Sequence, residues 1–153
     1  MKLTLQTDYG LRVLLYLALR PTDVVPVREI AAAYGISENH LMKVAQLLGR
    51  TGYVEMLRGV HGGVRLAHTP ESVRLGDVVR AIEPNLALVE CFDSETSTCA
   101  ITSTCALKGI LLKAQRAFFA ELDARTLADV VAKPQALRSI LVPQQALTAK
   151  RAR

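Results

Sequence analysis

A single glycine between two short amphipathic segments constrains this chain more than any other feature of its sequence. Residues 27–34 carry apolar side chains at helical spacing, and Gly35 follows them where a left-handed C-cap would end a helix. Ser37 can then cap a second helix, from Glu38 to about Thr51. A short helix, a glycine-containing turn and a second capped helix together predict a helix-turn-helix.

The segments on either side of this motif extend the pattern. A helix is expected before it, from about Thr7 to Leu19, with Thr7 as N-cap, Asp8 in the first turn and Arg20-Pro21 as the stop. After it, residues 53–57 and 64–67 are strand-like and flank a turn-rich loop at 58–63. A hairpin in this place is a wing, so residues 1–84 are expected to form a winged helix-turn-helix domain that includes a short helix from Leu75 to Glu83.

The second half of the chain is expected to be a loop followed by helices. Residues 85–105 show little apolar periodicity and contain all three cysteines. The longest helical pattern covers Ala106 to Arg125, and Thr126 can cap a last short helix from Leu127 to Ala132. Residues 106–142 therefore form a C-terminal helical region, and we expect 143–153 to be a flexible tail. The fold class is mainly α with one small β-hairpin.

Composition excludes several classes of protein. Half of the 153 residues are hydrophobic, which argues against extensive disorder, and the net charge of +5 suits a polyanionic partner. Three cysteines clustered within residues 91–105 are unlike a secreted disulfide scaffold and favour a metal or redox site in a reducing compartment. No stretch approaches the ~20 apolar residues of a membrane span. We therefore expect a soluble, cytoplasmic protein without a membrane partner.

The helix after Gly35 has two chemically different faces. Its apolar positions fall on one side, and the opposite side carries only amides and cations, at Asn39, Lys43, Gln46 and Arg50. Amides can pair with adenine, arginine with guanine and lysine with phosphate, so these four residues, here called the reading stripe, fit DNA recognition. His40 lies beside the stripe, and Ser37 with the free N–H groups around it can contact a phosphate. The alternative is an ordinary solvated helix face.

The expected wing adds further groups of the same kind. Cationic or imidazole side chains and glycines that let the backbone approach a phosphate recur along it, at Arg58, Gly59, His61, Gly62, Gly63 and Arg65. A nucleotide-binding loop is the other interpretation of these glycines, but the strand–loop–helix context and Lys-Ser/Thr of a P-loop are missing. We therefore expect the wing to bind double-stranded DNA together with the reading stripe.

The cysteines have the spacing C-x7-C-x5-C, at Cys91, Cys99 and Cys105. This is not the C-x2-C spacing of a zinc knuckle. Three thiolates can hold a metal or a cluster only with a fourth ligand from elsewhere, such as a carboxylate, a histidine or a small molecule. The alternative is three unrelated thiols on a loop.

Several local motifs together resemble a known family. They are Thr7-Asp-Tyr-Gly-Leu-Arg12, Leu41-Met-Lys-Val44, Gly52-Tyr-Val54, Arg58-Gly with Gly62-Gly63, and Leu75-Gly-Asp-Val-Val-Arg-Ala-Ile-Glu-Pro84. With these motifs the chain, from residue 1 to about 142, resembles the iron–sulfur winged-helix regulators that include IscR and NsrR. Cys105-x-Leu-Lys108 and Thr126-Leu-Ala-Asp129 are most similar to the nitric-oxide-sensing NsrR branch.

The resemblance implies a homodimer, joined by the helix that begins at Ala106, which binds a palindromic operator. It also implies one cluster per subunit, typically [4Fe-4S] with [2Fe-2S] as the alternative, held by the three cysteines and by Asp8 of the partner subunit. Without the resemblance, Asp8 would only interact favourably with a helix N-terminus. The seven residues between Cys91 and Cys99 are more than this family leads us to expect, and the chain has no histidine after Cys105, unlike IscR-like members.

These expectations combine into a function. The chain is expected to be a transcriptional repressor that releases operator DNA when nitric oxide reacts with its cluster. Alternatives are the same architecture sensing iron supply, cluster demand or oxidation, and, less favoured, a zinc- or thiol-based metalloprotein without a DNA role. We expect no enzyme, because no Ser/His/Asp or Cys/His constellation is present and all three histidines lie in the DNA-binding half.

Overall fold

The computed structural model describes residues 2–93 and 95–142. Its helices and strands follow the order α1 (Leu5–Ala18), α2 (Val27–Tyr34), α3 (Glu38–Arg50), β1 (Val54–Leu57), β2 (Gly63–Leu66), α4 (Leu75–Ile82), α5 (Ala106–Asp123), α6 (Leu127–Val130) and α7 (Pro134–Leu141). Single turns of 3₁₀ helix lie at Pro70–Ser72 and Glu90–Phe92. The part of the chain described holds no helix that is both long and apolar enough to cross a membrane. The expected tail, 143–153, lies outside the described residues.

Helix α1 forms the centre of the core. Val13, Leu14, Tyr16 and Leu17 are fully buried, and α1 packs against α3, α4, α6 and β2. The helix is surrounded because its apolar residues cover most of its circumference.

The start of α1 differs from expectation. Thr4, not Thr7, is the N-cap, and its hydroxyl accepts the Thr7 N–H at 3.3 Å. Thr7 instead is fully buried, and its hydroxyl donates to Glu83 Oε2 at 2.6 Å. The Thr4 N–H donates to the same oxygen at 3.1 Å, so the end of α4 holds the beginning of α1 through one carboxylate. The prediction of Thr7 as N-cap was wrong because capping rules use only neighbouring residues, and Glu83 is distant in sequence.

The helix-turn-helix forms as expected. Gly35 ends α2 with φ 63°, and α3 buries its apolar face against the core through Leu41, Val44, Ala45 and Leu48. A left-handed residue at this point costs least for glycine because it has no Cβ.

The wing, residues 54–66, is an antiparallel hairpin in which Val54 pairs with Leu66 and Leu57 with Gly63. Val25 extends its edge, exchanging backbone hydrogen bonds of 2.9 and 2.8 Å with Val64. A Cβ on Gly63 would lie 2.4 Å from the Val25 carbonyl oxygen, so this glycine is needed for packing inside the domain.

A salt bridge fastens α5 to the winged-helix domain. Arg80 of α4 donates to both oxygens of Asp123, at 2.7 and 2.8 Å, and its guanidinium lies 4.5 Å from the centroid of the Phe119 ring. The hydrogen bonds from Arg80 hold the pKa of Asp123 below its usual value. Asp123 sits directly over Gly76, where a Cβ would come within 1.8 Å of its Oδ1.

The C-terminal helices are shorter and more numerous than expected. Thr126 and Asp129 form a capping box at α6, but this helix ends at Val130, and α7 was not anticipated. Pro134 opens α7, and Arg138 donates to the Leu19 carbonyl at the end of α1, at 2.6 and 3.1 Å. The C-terminal region therefore packs onto the DNA-binding half.

Helix α5 differs from the others in burying none of its residues, and Leu107 and Ile110 are 59% and 62% exposed. An exposed apolar face of this kind is typical of a surface that another chain covers.

Gly76→Ala is expected to destabilise the protein by about 1–3 kcal/mol, because the new methyl group forces Asp123 away from Arg80. Gly109→Ala in α5 is the matched control: a Cβ there meets nothing within 4 Å, so we expect a gain of about 0.5–1 kcal/mol from helix propensity. Urea unfolding followed by circular dichroism measures both. Equal effects of the two substitutions would contradict the packing role of Gly76.

Candidate nucleic-acid interface and cysteine loop

The reading stripe is fully available to a ligand. Burial of the apolar face of α3 turns the opposite side outward, and every predicted DNA-contacting side chain on this helix is exposed: Asn39, His40, Lys43, Gln46 and Arg50. The structure thus brings these five residues onto one open surface.

The N-terminus of α3 is also open. Ser37 is exposed and stands at the N-cap, but its hydroxyl makes no capping hydrogen bond. The first N–H groups of a helix lack partners within the helix and attract anions. This end of α3 is therefore open to an anion, although the exposed carboxylate of Glu38 lies in the same turn, and the expectation that Ser37 contacts a phosphate stays a prediction.

The wing and the start of α2 enclose a groove beside the reading stripe. His61, Gly62 and Gly63 line it together with Met42 of α3 and Arg28 of α2. Arg28 is exposed. The sequence did not identify it as a candidate for DNA binding, because its place in the groove depends on how α2 lies beside the wing. The sequence did offer one signal for Arg28: it is a cation in the first turn of α2, the helix that precedes the helix-turn-helix turn.

Two predicted wing residues have a different setting from the one expected. Arg65 lies on the outer face of the hairpin and pairs with Glu55, its cross-strand neighbour, at 2.5 Å. A Cβ on Gly62 would lie 2.5 Å from the Leu57 carbonyl oxygen, so Gly62, like Gly63, is needed within the wing itself. Arg58 and Gly59 are exposed in the loop, and Gly59 has φ 105° with open space around it. Gly59 is thus the wing glycine with open space around it, and the expectation that Gly62 and Gly63 approach a phosphate stays a prediction.

The three cysteines occupy different environments. Cys91 is half-buried in the short Glu90–Phe92 turn, and Cys99 is exposed. Cys105 caps α5, where its sulfur accepts the Lys108 N–H at 3.4 Å. Cys99 and Cys105 line one open depression, but Cys91 does not. Among residues 2–93 and 95–142, no three His, Cys, Asp or Glu side chains gather as a metal site, so this single chain does not bring the predicted ligands together.

Hydrogen bonds organise the cysteine loop, residues 85–105. Glu90 Oε1 accepts the backbone N–H of Thr98 at 2.5 Å and its hydroxyl at 2.8 Å. Asp93 accepts the Glu95 N–H at 2.9 Å and the Thr96 hydroxyl at 2.7 Å. These bonds hold the pKa of Glu90 and of Asp93 below their usual values, led by the Thr98 N–H and the Thr96 hydroxyl respectively. The loop is therefore locally folded.

Asp8 lies apart from this loop, on the first turn of α1. Its carboxylate pairs with Arg12 at 2.8 Å, and the two side chains are 41% and 42% exposed. The Arg12 guanidinium lies 5.8 Å from the ring centroid of Tyr34, the last residue of α2. The Tyr34 hydroxyl is buried without a hydrogen-bond partner among the described residues, and burial raises its pKa to about 12. Asp8 is thereby connected to the helix-turn-helix through one cation.

The chemistry of the donors fits an iron–sulfur group. Thiolates are soft ligands of the kind that such groups use, and a sulfur at the N-terminus of α5 faces partially positive N–H groups that favour negative charge. Asp8 is accessible enough to reach another molecule.

Comparisons with known proteins agree with this architecture. Residues 3–133 match the model of the Rrf2 family, described as an iron-dependent transcriptional regulator. A protein of Halalkalibacterium halodurans named HTH-type transcriptional regulator NsrR is 46% identical over 142 residues, which cover 92% of this chain and 97% of the relative. The resemblance identified from the motifs is confirmed.

Solved structures show the same fold. CymR, the global cysteine regulator of B. subtilis, superposes with a TM-score of 0.72 at 24% identity, covering 86% of this chain and 97% of that chain. IscR of T. potens gives 0.68 at 25% identity, covering 86% and 87%. These structures confirm the expected fold class, and the family match confirms the expectation of a transcriptional regulator rather than an enzyme. The chain belongs to the Rrf2 family of transcriptional regulators.

Proposed function

We propose that this protein is a homodimeric repressor that binds a palindromic DNA operator and responds to nitric oxide through an iron–sulfur cluster. One observation supports DNA binding above all: α3 presents an exposed stripe of amides and cations without an acid, next to an open helix N-terminus and a wing. The cysteine loop and the likeness to NsrR-named relatives support the sensing role.

The DNA contacts divide by chemistry. Asn39, Gln46 and Arg50 have the groups that pair with base edges when α3 lies in the major groove. Lys43 and Arg28, with the N-terminus of α3, supply contacts to phosphates, which fix position rather than sequence. His61 and Arg58 on the exposed loop of the wing are suited to the neighbouring minor groove.

Dimerisation is supported by α5. A helix with no buried residue and with Leu107 and Ile110 mostly exposed gains from burial against a second copy. A two-fold dimer presents two reading helices to two half-sites, and operator symmetry then follows protein symmetry.

Cys91, Cys99 and Cys105 are the residues that would hold the cluster, [4Fe-4S] or alternatively [2Fe-2S], with Asp8 of the partner subunit as the fourth ligand. When bound, the cluster would supply iron that is reactive toward nitric oxide. A carboxylate is a harder ligand than a thiolate, so the Asp8 position is the weakest of the four.

The chain's own residues offer a connection from this ligand to the DNA-binding surface. Asp8 either pairs with Arg12 of its own chain or is drawn to another subunit, and Arg12 lies against Tyr34, one residue before Gly35. Moving Asp8 therefore changes an interaction at the turn that sets the position of α3.

Lys43→Ala is expected to weaken binding to all DNA and to lower the salt dependence of log K by about one phosphate contact. Gln46→Ala should instead reduce the preference for operator over random DNA, by about 1–3 kcal/mol. Operators are first selected from a random duplex pool with the purified protein, and affinities are measured by fluorescence anisotropy. Lys133→Ala removes the same charge from the link between α6 and α7 and should change neither value; a loss equal to that of Lys43→Ala would contradict the assignment.

Nitric oxide is expected to abolish operator binding by anaerobically purified protein while bleaching its visible absorption. The two changes are recorded on the same samples, with iron chelator and oxidant as separate arms. A response to chelator or oxidant but not to nitric oxide would favour the alternative signals. A colourless protein that binds only zinc would contradict the cluster.

Asp8→Asn is expected to speed iron loss to a chelator several-fold, because an amide is a poor substitute for a carboxylate ligand. Asp77→Asn is the matched control, since Asp77 also stands in the first turn of its helix and pairs with an arginine, Arg80 at 3.6 Å. Both variants lose a similar interaction with a helix N-terminus, about 0.3–1 kcal/mol. Iron loss accelerated equally by both would show that Asp8 acts through helix stability and not as a ligand.

A further inference from the structure

The long spacing between the first two cysteines has a structural counterpart. Seven residues separate Cys91 from Cys99, and a flexible segment of this length would hold two thiols close together only at an entropic cost. In the structure, Glu90 and Thr98 are joined across the segment by two hydrogen bonds, 2.5 and 2.8 Å long. Each of these residues directly precedes a cysteine.

The described residues between the two cysteines also bond to one another. The Ser97 N–H donates to the Asp93 carbonyl at 3.2 Å, and the Asp93 carboxylate accepts from Glu95 and Thr96. Residues 93 and 95–97 are therefore joined by local hydrogen bonds between the two positions that Glu90 and Thr98 hold together. Local bonds of this kind let the sequence between two cysteines be long while its ends stay close.

We propose that Glu90 is a positioning residue that closes the cysteine loop and holds the Cys91 and Cys99 thiols within reach of one metal group. The purpose of this role, binding a metal group, rests on the proposed function. The closure of the loop by Glu90 does not. Glu90 acts through Thr98, because its Oε1 accepts both the Thr98 N–H and the Thr98 hydroxyl.

The closure can be measured as the effective concentration of the Cys91 and Cys99 thiols, which is how readily they form a disulfide with each other. The full-length chain carrying Cys105→Ser, which keeps an acceptor at the start of α5, is equilibrated in glutathione redox buffers. Mass spectrometry then gives the fraction with a Cys91–Cys99 disulfide. In this background Glu90→Ala is expected to lower the effective concentration about threefold to tenfold, the range for loss of an ordinary hydrogen bond. Glu90→Gln keeps a side-chain acceptor and should recover most of it.

Glu95→Ala is the matched control, because it removes a carboxylate from the same loop while leaving Glu90 and Thr98 unchanged. Thermal unfolding by circular dichroism verifies that each variant is folded. Equal effective concentrations in the parent and Glu90→Ala chains would overturn the proposal, as would equal losses in Glu90→Ala and Glu95→Ala.

A second measurement separates this proposal from the proposed function. In the chain with all three cysteines, Glu90→Ala should release iron to a chelator faster than Glu95→Ala. If anaerobically purified wild-type protein contains no iron and sulfide, the cluster proposal fails, while the disulfide equilibrium still decides whether Glu90 closes the loop.

Discussion

Burial of α1 is the constraint on which the rest of the structure depends. Val13, Leu14, Tyr16 and Leu17 have no exposed surface, so the reading helix, the wing and α6 all pack on one central element, while α5 is held to it through α4. Both ends of α1 are fixed from distant sequence: Glu83 holds the first turn, and Arg138 donates to the Leu19 carbonyl at the other end. A displacement at either end is passed on as a rigid body, since a packed interior deforms little.

The helix-turn-helix can be predicted from sequence alone because the signals that specify it are local. The apolar stripe of α3 decides which side faces the core, and the exposure of the opposite side follows from geometry. Gly35 was recognised for the same reason, since one residue carries the turn. The N-cap of α1 was assigned wrongly because Thr7 is claimed by Glu83, a partner that no local pattern reveals. Helix α7 was not predicted, although Pro134 is a local start signal, because the contact that holds it joins Arg138 to the distant Leu19 carbonyl.

The candidate site shows the same division between local and distant information. Residue types predicted that the wing carries cations and glycines. They did not predict that the hairpin register places Arg65 against Glu55, or that Gly63 is needed for close packing on Val25. Missing apolar periodicity predicted a loop around the cysteines, and the seven-residue interval is long only in comparison with the family that the chain resembles. The hydrogen bonds between Glu90 and Thr98 span that interval, and no periodicity or motif encodes them.

The free energies of the interactions at Asp8 limit how a signal there can reach the DNA. A useful switch needs coupling of about 1–3 kcal/mol between the two sites. The exposed Asp8–Arg12 pair, four residues apart on a helix, contributes only about 0.3–0.5 kcal/mol, so breaking it cannot supply the change. Under the proposed function the larger contribution must come from the dimer, where two reading helices have to match half-sites about 34 Å apart. If Asp8 is a ligand shared between subunits, it acts on that spacing directly, and α1, which packs against α3, is the element that would carry the shift to the reading helix.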